Sequence, residues 1–82
     1  PTPTWAARQV HVVGRPRVVG KNHLKMTLAS GGTQLDAIAF GMADRELYSD
    51  GMDVLFHVQE NNYMGRQSIQ LNVKDFRPSE QN

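Results

Sequence analysis

Apolar residues at every second position recur in five separate runs, and this alternation constrains the fold more than any other feature. A period of two is typical of strands that bury one face and expose the other. The alternating apolar residues of the five runs are Val10 and Val12; Leu24, Met26 and Leu28; Leu35, Ala37 and Ala39; Met52, Val54, Phe56 and Val58; and Ile69, Leu71 and Val73. The pattern therefore predicts a mainly β domain with five strands.

The period changes between the third and fourth runs. Residues 42–48 contain good helix formers, and Ala43 and Leu47 lie four positions apart on one helix face. Gly41 precedes the segment and Gly51 follows it, so the pattern predicts one to two helical turns. The order β-β-β-α-β-β suits the five-stranded barrel called the OB-fold, with the short helix at one end of the barrel between strands three and four. A plain antiparallel sheet with one covering helix is the alternative.

Gly14 and Pro16 interrupt the first run. The first strand of such a barrel must bend to pair on both sides, and a glycine or a bulge allows the bend. We expect the OB-fold domain over residues 9–76, after an N-terminal linker or arm over residues 1–8 and before a C-terminal tail over residues 77–82.

Charge is distributed unevenly along the 82 residues, although the net charge is only +1. Residues 1–35 contain five Lys or Arg and no carboxylate, whereas residues 36–60 contain six carboxylates and one Arg. Such asymmetry is one indication of a surface that faces nucleic acid, but surface charge also segregates without a functional reason. The chain has no cysteine for disulfides or thiolate metal ligation, and no apolar run approaches the ~20 residues that cross a membrane.

Sequence patterns that carry catalysis are missing. His11, His23 and His57 lie far apart and match no metal-ligand spacing. The sequence contains no glycine-rich phosphate loop before a helix and no Gly-x-Ser-x-Gly nucleophile turn. We therefore expect no active site and no cofactor in this chain.

Two turn segments, residues 20–25 and residues 61–66, bring cations, amides and an aromatic ring together. In an OB-fold they become the loops that flank the face of strands two and three, where such barrels hold oligonucleotides, and we expect both to open onto that face. Single-strand binders combine a cationic groove with rings on which bases stack. The candidate nucleic-acid-binding residues are Lys21, His23, Lys25, Phe40, Tyr63 and Arg66. Two alternatives stay open: Phe40 can cap the core, and the lysines can be solvated charges that discourage aggregation at a strand edge.

Four blocks resemble the C-terminal part of RecJ-type exonucleases: residues 1–5, 18–25, 35–40 and 60–71. The resemblance implies an OB-fold domain appended to a DHH-superfamily nuclease, which degrades single-stranded DNA from its 5′ end during DNA repair and recombination in the bacterial cytoplasm. It also implies Mn²⁺ or Mg²⁺ in the catalytic domain, whose Asp-His-His motif does not occur in this chain. The implied partners are single-stranded DNA, the nuclease core domains of the same polypeptide and a repair protein. Binding to a membrane is not expected.

Two hypotheses follow for the chain. The first is a non-catalytic module that binds single-stranded DNA. The second is a structural or protein-interaction module that closes the nuclease ring or docks a repair partner, with Trp5, Ile38 and Leu55 as candidate contacts.

Overall fold

Five strands close into a barrel that contains most of the chain. The structure is a computed structural model, and it describes residues 2–80. The strands are β1 (Trp5–Val19), β2 (His23–Ser30), β3 (Thr33–Ala39), β4 (Met52–Tyr63) and β5 (Arg66–Pro78). Their order is β1-β2-β3-β5-β4, and β4 pairs with β1 to close the barrel. β3 and β5 are parallel, and the other neighbours are antiparallel. The predicted five-stranded barrel, with the arrangement of an OB-fold, is confirmed, and the plain sheet is excluded.

The alternation in the sequence corresponds to the two faces of the barrel wall. In β2, Leu24, Met26 and Leu28 are buried, while the residues between them are partly exposed. The buried apolar side chains form one core cluster: Val10, Leu24, Met26, Leu28, Ala37, Ala39, Met52, Val54, Leu71, Val73 and Phe76. Every strand contributes to this cluster, so burial of apolar surface connects all parts of the barrel.

β1 bends so that it can pair on both sides. Its residues 5–10 pair with β4, and its residues 11–19 pair with β2. The register with β2 shifts between Val13 and Arg17, and Gly14 between them has a φ of +70°. A positive φ suits glycine, and the shift confirms an irregularity of the first strand at Gly14. The change of partner from β4 to β2 lies earlier, next to a second register shift between Ala7 and Val10, where Gln9 has a φ of +57°.

Strand pairing extends beyond residues 9–76 in both directions. β1 begins at Trp5, within the range predicted as an arm, and β5 ends at Pro78, within the range predicted as a tail. Residue 1 of the arm and residues 81–82 of the tail lie outside the described residues.

The segment between β3 and β4 is not helical, so the predicted short helix is wrong. Residues 40–51 form turns and bends. The backbone N–H of Arg45 donates to the carbonyl oxygen of Met42 at 3.0 Å, which closes one turn. The backbone N–H of Ala43 donates to the carbonyl oxygen of Asn22 in the β1–β2 turn, also at 3.0 Å. A helix this short gains few hydrogen bonds against the cost of its first turn, and contacts with the barrel compete for the same groups.

The side chains of this segment, residues 40–51 and here called the connector, cover one end of the barrel instead. Met42, Leu47 and Tyr48 pack against the core. Arg45 lies over the ring of Phe76, with its Cζ 4.2 Å from the ring centroid, and donates to the carbonyl oxygen of Phe76 at 2.9 Å. These tertiary contacts outweigh the helix propensity of the segment.

The strand directions divide the turns between the two ends of the barrel. β1, β3 and β5 run in the same direction, so the β1–β2 turn and the connector lie at one end, here called the connector end. The β2–β3 and β4–β5 turns lie at the other end, here called the hairpin end. At the hairpin end, an apolar cavity of about 280 Å³ is lined in part by Leu35, Val58 and Ile69.

Candidate nucleic-acid interface

The outer face of β2 and β3 is the surface that the sequence predicts to bind nucleic acid. Lys25 lies opposite Ile38, Thr27 lies opposite Asp36, and opposite residues of antiparallel strands share a face. Phe40 follows the end of β3 and is 50% exposed. Because Phe40 lies outside the core cluster, its ring is accessible to a ligand.

His23 connects the β1–β2 turn to the end of β3. Its ring centroid lies 5.1 Å from that of Phe40 with an interplanar angle of 74°, an edge-to-face contact. Its Nδ1 accepts a hydrogen bond from the backbone N–H of Gly41 at 3.1 Å, so Nδ1 carries no proton in this arrangement. A Cβ at Gly20 would lie 3.0 Å from Cδ2 of His23, so the loop glycine lets the turn approach the imidazole. His23 therefore holds Phe40 and the turn that follows it.

Cations surround this ring contact. Lys21 is exposed in the β1–β2 turn, and Lys25 lies on the outer face of β2. Arg17, which the sequence did not assign to the site, lies opposite Lys25 on β1. Its direction could not be deduced because the shift at Gly14 interrupts the alternation of β1. Within residues 2–80, none of these three cations forms an ion pair. Like charges directly opposite each other are destabilising, so the pair concentrates positive charge at a structural cost.

Tyr63 and Arg66 face each other across the β4–β5 hairpin. Met64 and Gly65 connect them with φ values of +52° and +80°, as in the two-residue hairpin turns that match strand twist. Tyr63 is 76% exposed. The hairpin therefore presents an aromatic ring and a cation side by side, as the sequence predicts.

The two predicted loops do not meet. Ile38 on β3 pairs with Asn72 on β5, and Arg66 precedes Asn72 by six residues, which is about 20 Å at ~3.3 Å per residue. Lys21 and His23 lie at the connector end, whereas Arg66 lies at the hairpin end, because β1 and β5 run in the same direction. The two loops lie at opposite ends of the strands, and the expectation that both open onto the face of β2 and β3 stays a prediction.

A row of polar residues occupies the outer positions of β4 and β5 between these ends. The row, here called the polar row, consists of His57, Gln59 and Asn61 on β4 and Ser68, Gln70 and Asn72 on β5. Asn61 Nδ2 donates to Gln70 Oε1 at 3.0 Å. Sequence reasoning did not assign these residues, although the alternation of Gln70 and Asn72 with buried Leu71 and Val73 predicts their outward direction.

A comparison with protein families decides the class to which this barrel belongs. A family model described as the RecJ OB domain matches residues 1–75. The chain belongs to this family. A search of the curated proteins finds no match to the chain. Membership confirms the resemblance drawn from the sequence. It indicates a nucleic-acid-binding module of a RecJ-like protein. The matched unit is an OB domain, which is non-catalytic. The matched range includes every candidate binding residue of this RecJ OB domain.

One carboxylate of the RecJ OB domain, that of Asp53, has a structural role. Asp53 on β4 accepts hydrogen bonds from Ser79 Oγ at 2.7 Å and from the backbone N–H of Gln9 at 3.2 Å. Arg77 Nε lies 3.4 Å from its carboxylate. The hydrogen bond from Ser79 above all, with those from Gln9 and Arg77, lowers the pKa of Asp53. These contacts connect β1, β4 and the end of β5.

Metal ligands do not cluster in the described part of the RecJ OB domain. No group of three or more His, Asp or Glu in residues 2–80 could hold a metal ion. In the same range, no helix is long and apolar enough to cross a membrane.

Proposed function

We propose that this RecJ OB domain binds single-stranded DNA. It acts as a non-catalytic module of a RecJ-like 5′→3′ exonuclease in DNA repair and recombination, in a bacterial cytoplasm. The observation that carries the proposal is the half-exposed ring of Phe40 beside Lys21, Lys25 and Arg17, which have no ion-pair partners within residues 2–80. An exposed ring with unpaired cations suits a ligand that offers unstacked bases and phosphates together.

Each group has a separate task in this function. The cations neutralise phosphates and release counterions, which makes affinity fall with salt. Phe40 stacks one base, and Tyr63 stacks another at the hairpin end, each for about 1–3 kcal/mol. His23 keeps Phe40 in position through the ring contact and the hydrogen bond to Gly41. The distance of about 20 Å between the two ends means that a single strand contacts both only by crossing the barrel surface.

The nuclease chemistry belongs to other domains of the proposed full protein. Mn²⁺ or Mg²⁺ would bind there, and this module would keep the strand near the catalytic centre. Because the two parts share one polypeptide, a weak contact by the module raises the effective concentration of the strand without tight binding of its own.

Fluorescence anisotropy with a labelled oligonucleotide of about 12 nucleotides tests the function, since OB-fold sites span ~4–16 nucleotides. We expect binding at low salt, weaker binding to a duplex of the same length, and a loss of affinity when Lys21, Lys25 and Arg66 are changed to Ala together. Absence of binding at low salt, or equal binding to duplex, would contradict the proposal.

A protein-interaction module is the second candidate, and exposed apolar groups favour it. Trp5 is 54% exposed and Leu55 is 44% exposed, while Ile38 is half-buried. The apolar cavity at the hairpin end adds Leu35 and other exposed aliphatic side chains. In this case, the triple charge variant leaves DNA handling by the full nuclease unchanged, whereas Trp5→Ala with Leu55→Ala weakens its assembly with the partner.

A further inference from the structure

We propose that the imidazole of His23 is a neutral hydrogen-bond donor in a binding site for one phosphate of the strand. The site lies on the outer face of β2, between the β1–β2 turn and the end of β3. The inference rests on the proposed binding of single-stranded DNA and deepens it. It gives His23 a direct contact with the DNA backbone in addition to its contact with the ring of Phe40.

The hydrogen bond from Gly41 fixes the position of the proton on this imidazole. The backbone N–H of Gly41 donates to Nδ1 of His23 at 3.1 Å, so Nδ1 is the acceptor and carries no proton. A neutral imidazole has one N–H group, which therefore lies at Nε2. Nε2 forms no hydrogen bond within residues 2–80, and it is not among the fully buried polar atoms of that range. His23 thus has an unused donor that a ligand can reach.

Gly20 leaves open space beside this donor. A Cβ at Gly20 would lie 3.0 Å from Cδ2 and 3.7 Å from Nε2 of His23, so this edge of the ring faces the β1–β2 turn. Gly20 has a φ of +61°, a conformation that glycine adopts without steric cost. An oxygen atom of a ligand can therefore approach Nε2 from the side of the turn, where any other residue would place a carbon atom.

The strand register places two cations on the same face as His23. On β1 and β2, Val19 lies opposite His23 and Arg17 lies opposite Lys25. Lys25 follows His23 by two positions, so their Cα atoms are about 7 Å apart at ~3.3 Å per residue. Within residues 2–80, neither cation has an ion-pair partner. A phosphate at Nε2 would therefore lie near positive charge that these residues do not neutralise themselves.

These surroundings suit a phosphate oxygen better than the edge of a base. A hydrogen bond to a charged acceptor is roughly twice as strong as one between neutral groups. The nearby cations attract the phosphate and add to this preference. The ring of Phe40 lies 5.1 Å from the imidazole, centroid to centroid, and offers the base its own place by stacking. A nucleotide whose base stacks on Phe40 brings its backbone close to His23.

An abasic oligonucleotide of about 12 phosphates separates this role from the positioning of Phe40, because it has a DNA backbone but no base to stack. Its affinity is measured by anisotropy at low salt and about pH 8, where histidine side chains are neutral. Phe40→Ala should leave this affinity unchanged. If His23 only holds the ring of Phe40, variants of His23 leave it unchanged as well.

Two variants of His23 separate its two ring nitrogens. His23→Asn keeps an acceptor for the N–H of Gly41 but has no group at the position of Nε2. We expect it to bind the abasic oligonucleotide about tenfold more weakly, as for one lost hydrogen bond to a charged group. His23→Gln, whose amide N–H extends to the position of Nε2, should retain most of the affinity. Neither variant should change the slope of log affinity against log salt, because neither removes a cation.

Two glycine variants provide a matched control. Gly20→Ala places a methyl group against the ring edge of His23 and should also weaken binding of the abasic oligonucleotide. Gly31 in the β2–β3 turn has a similar φ of +55°, and a Cβ there would have no atom within 4 Å. Gly31→Ala therefore introduces comparable backbone strain without a contact to His23, and it should keep the native affinity.

Nitrogen NMR of the His23 ring needs no variant, so it tests the proposal even if a variant unfolds. Nε2 should carry the proton in the free domain, and its signal should shift when the abasic oligonucleotide is added. A proton on Nδ1, or equal abasic affinities of His23→Asn and the native domain, would overturn the inference. A shift that appears only with an oligonucleotide that has bases would assign Nε2 to a base edge and overturn it too. Failure of the native domain to bind that oligonucleotide would instead reject the proposed function itself.

Discussion

Neutralising the cations around His23 should change how DNA binding depends on salt, by an amount that follows from their number. The perturbation is Arg17→Gln, Lys21→Gln and Lys25→Gln, which replaces three cations that form no ion pair within residues 2–80 by polar, uncharged side chains. For a single strand, each phosphate contact contributes about 0.7 to the slope of log affinity against log salt. Three contacts give a slope of about 2, so a rise from ~50 to ~200 mM salt weakens this part of binding about 20-fold.

The assay is a series of anisotropy titrations with one oligonucleotide at four or more salt concentrations. We expect the triple variant to bind more weakly at low salt, with a slope smaller by about 2, and to approach the native domain at high salt. Thermal unfolding should show no loss of stability, because the change removes two like charges that lie opposite each other.

Two variants that each remove one charge provide the control. Arg8 lies on the first half of β1, beside a cavity that Asp53 and Asp75 also line, away from the β1–β2 pairing. Arg17→Gln should lower the slope by about 0.7, whereas Arg8→Gln should leave it unchanged. Equal slopes for the triple variant and the native domain, or the same decrease from Arg8→Gln, would refute the reasoning that these particular cations contact phosphates.

Three further predictions follow from individual side chains. Phe40→Ala should weaken oligonucleotide binding by at least fivefold, the lower limit for one stacked base, with little change in thermal stability because the ring lies outside the core; unchanged affinity would show that the ring does not stack. His23→Ala should weaken binding as well, and His23→Asn, whose Oδ1 can accept from the N–H of Gly41, should restore part of it; equal affinities of both variants would exclude the hydrogen bond as the cause. Asp53 has a lowered pKa, so its contribution to stability is complete above the unfolded value of 3.8 and is lost as the pH falls through the lower folded value. Urea unfolding at pH 7 and near pH 3 should therefore show a smaller acid-induced loss for Asp53→Asn than for the native domain, and equal losses would contradict this assignment.

The alternation of apolar residues predicted the strands because it records which side of the wall each residue faces. Leu24, Met26 and Leu28 are buried as their spacing requires, and the outer position of Lys25 follows by exclusion. Local propensity failed between β3 and β4, where Arg45 bonds to β5 and apolar side chains cover the barrel end. No pattern within residues 42–48 reveals that distant strand.

The candidate site could be predicted only where it depends on neighbours in sequence. Lys21 and His23 belong to one turn, and Tyr63 and Arg66 belong to another, so each pair was found together. Their separation depends on the parallel pairing of β3 with β5, which joins residues more than 30 positions apart. The partner of Lys25 across β1 depends on the register shift beyond Gly14, which sequence alone does not specify.

Several departures from ordinary packing rules lie along the surface between the β1–β2 turn and the β4–β5 hairpin, and they argue for a ligand there. Arg17 lies opposite Lys25 without a carboxylate. Phe40 is half exposed and Tyr63 is mostly exposed, and Asn72 Oδ1 is unsatisfied within the described residues. In contrast, Asp75 and Arg77 in the C-terminal half of β5 each have an ion-pair partner. Asp75 pairs with Arg45, and Arg77 pairs with Asp53. Natural sequences keep local choices consistent with the fold except where function requires otherwise. A polyanion with exposed bases would compensate the unpaired charges, the open rings and the unused amide at once, whereas an apolar protein surface would compensate only the rings.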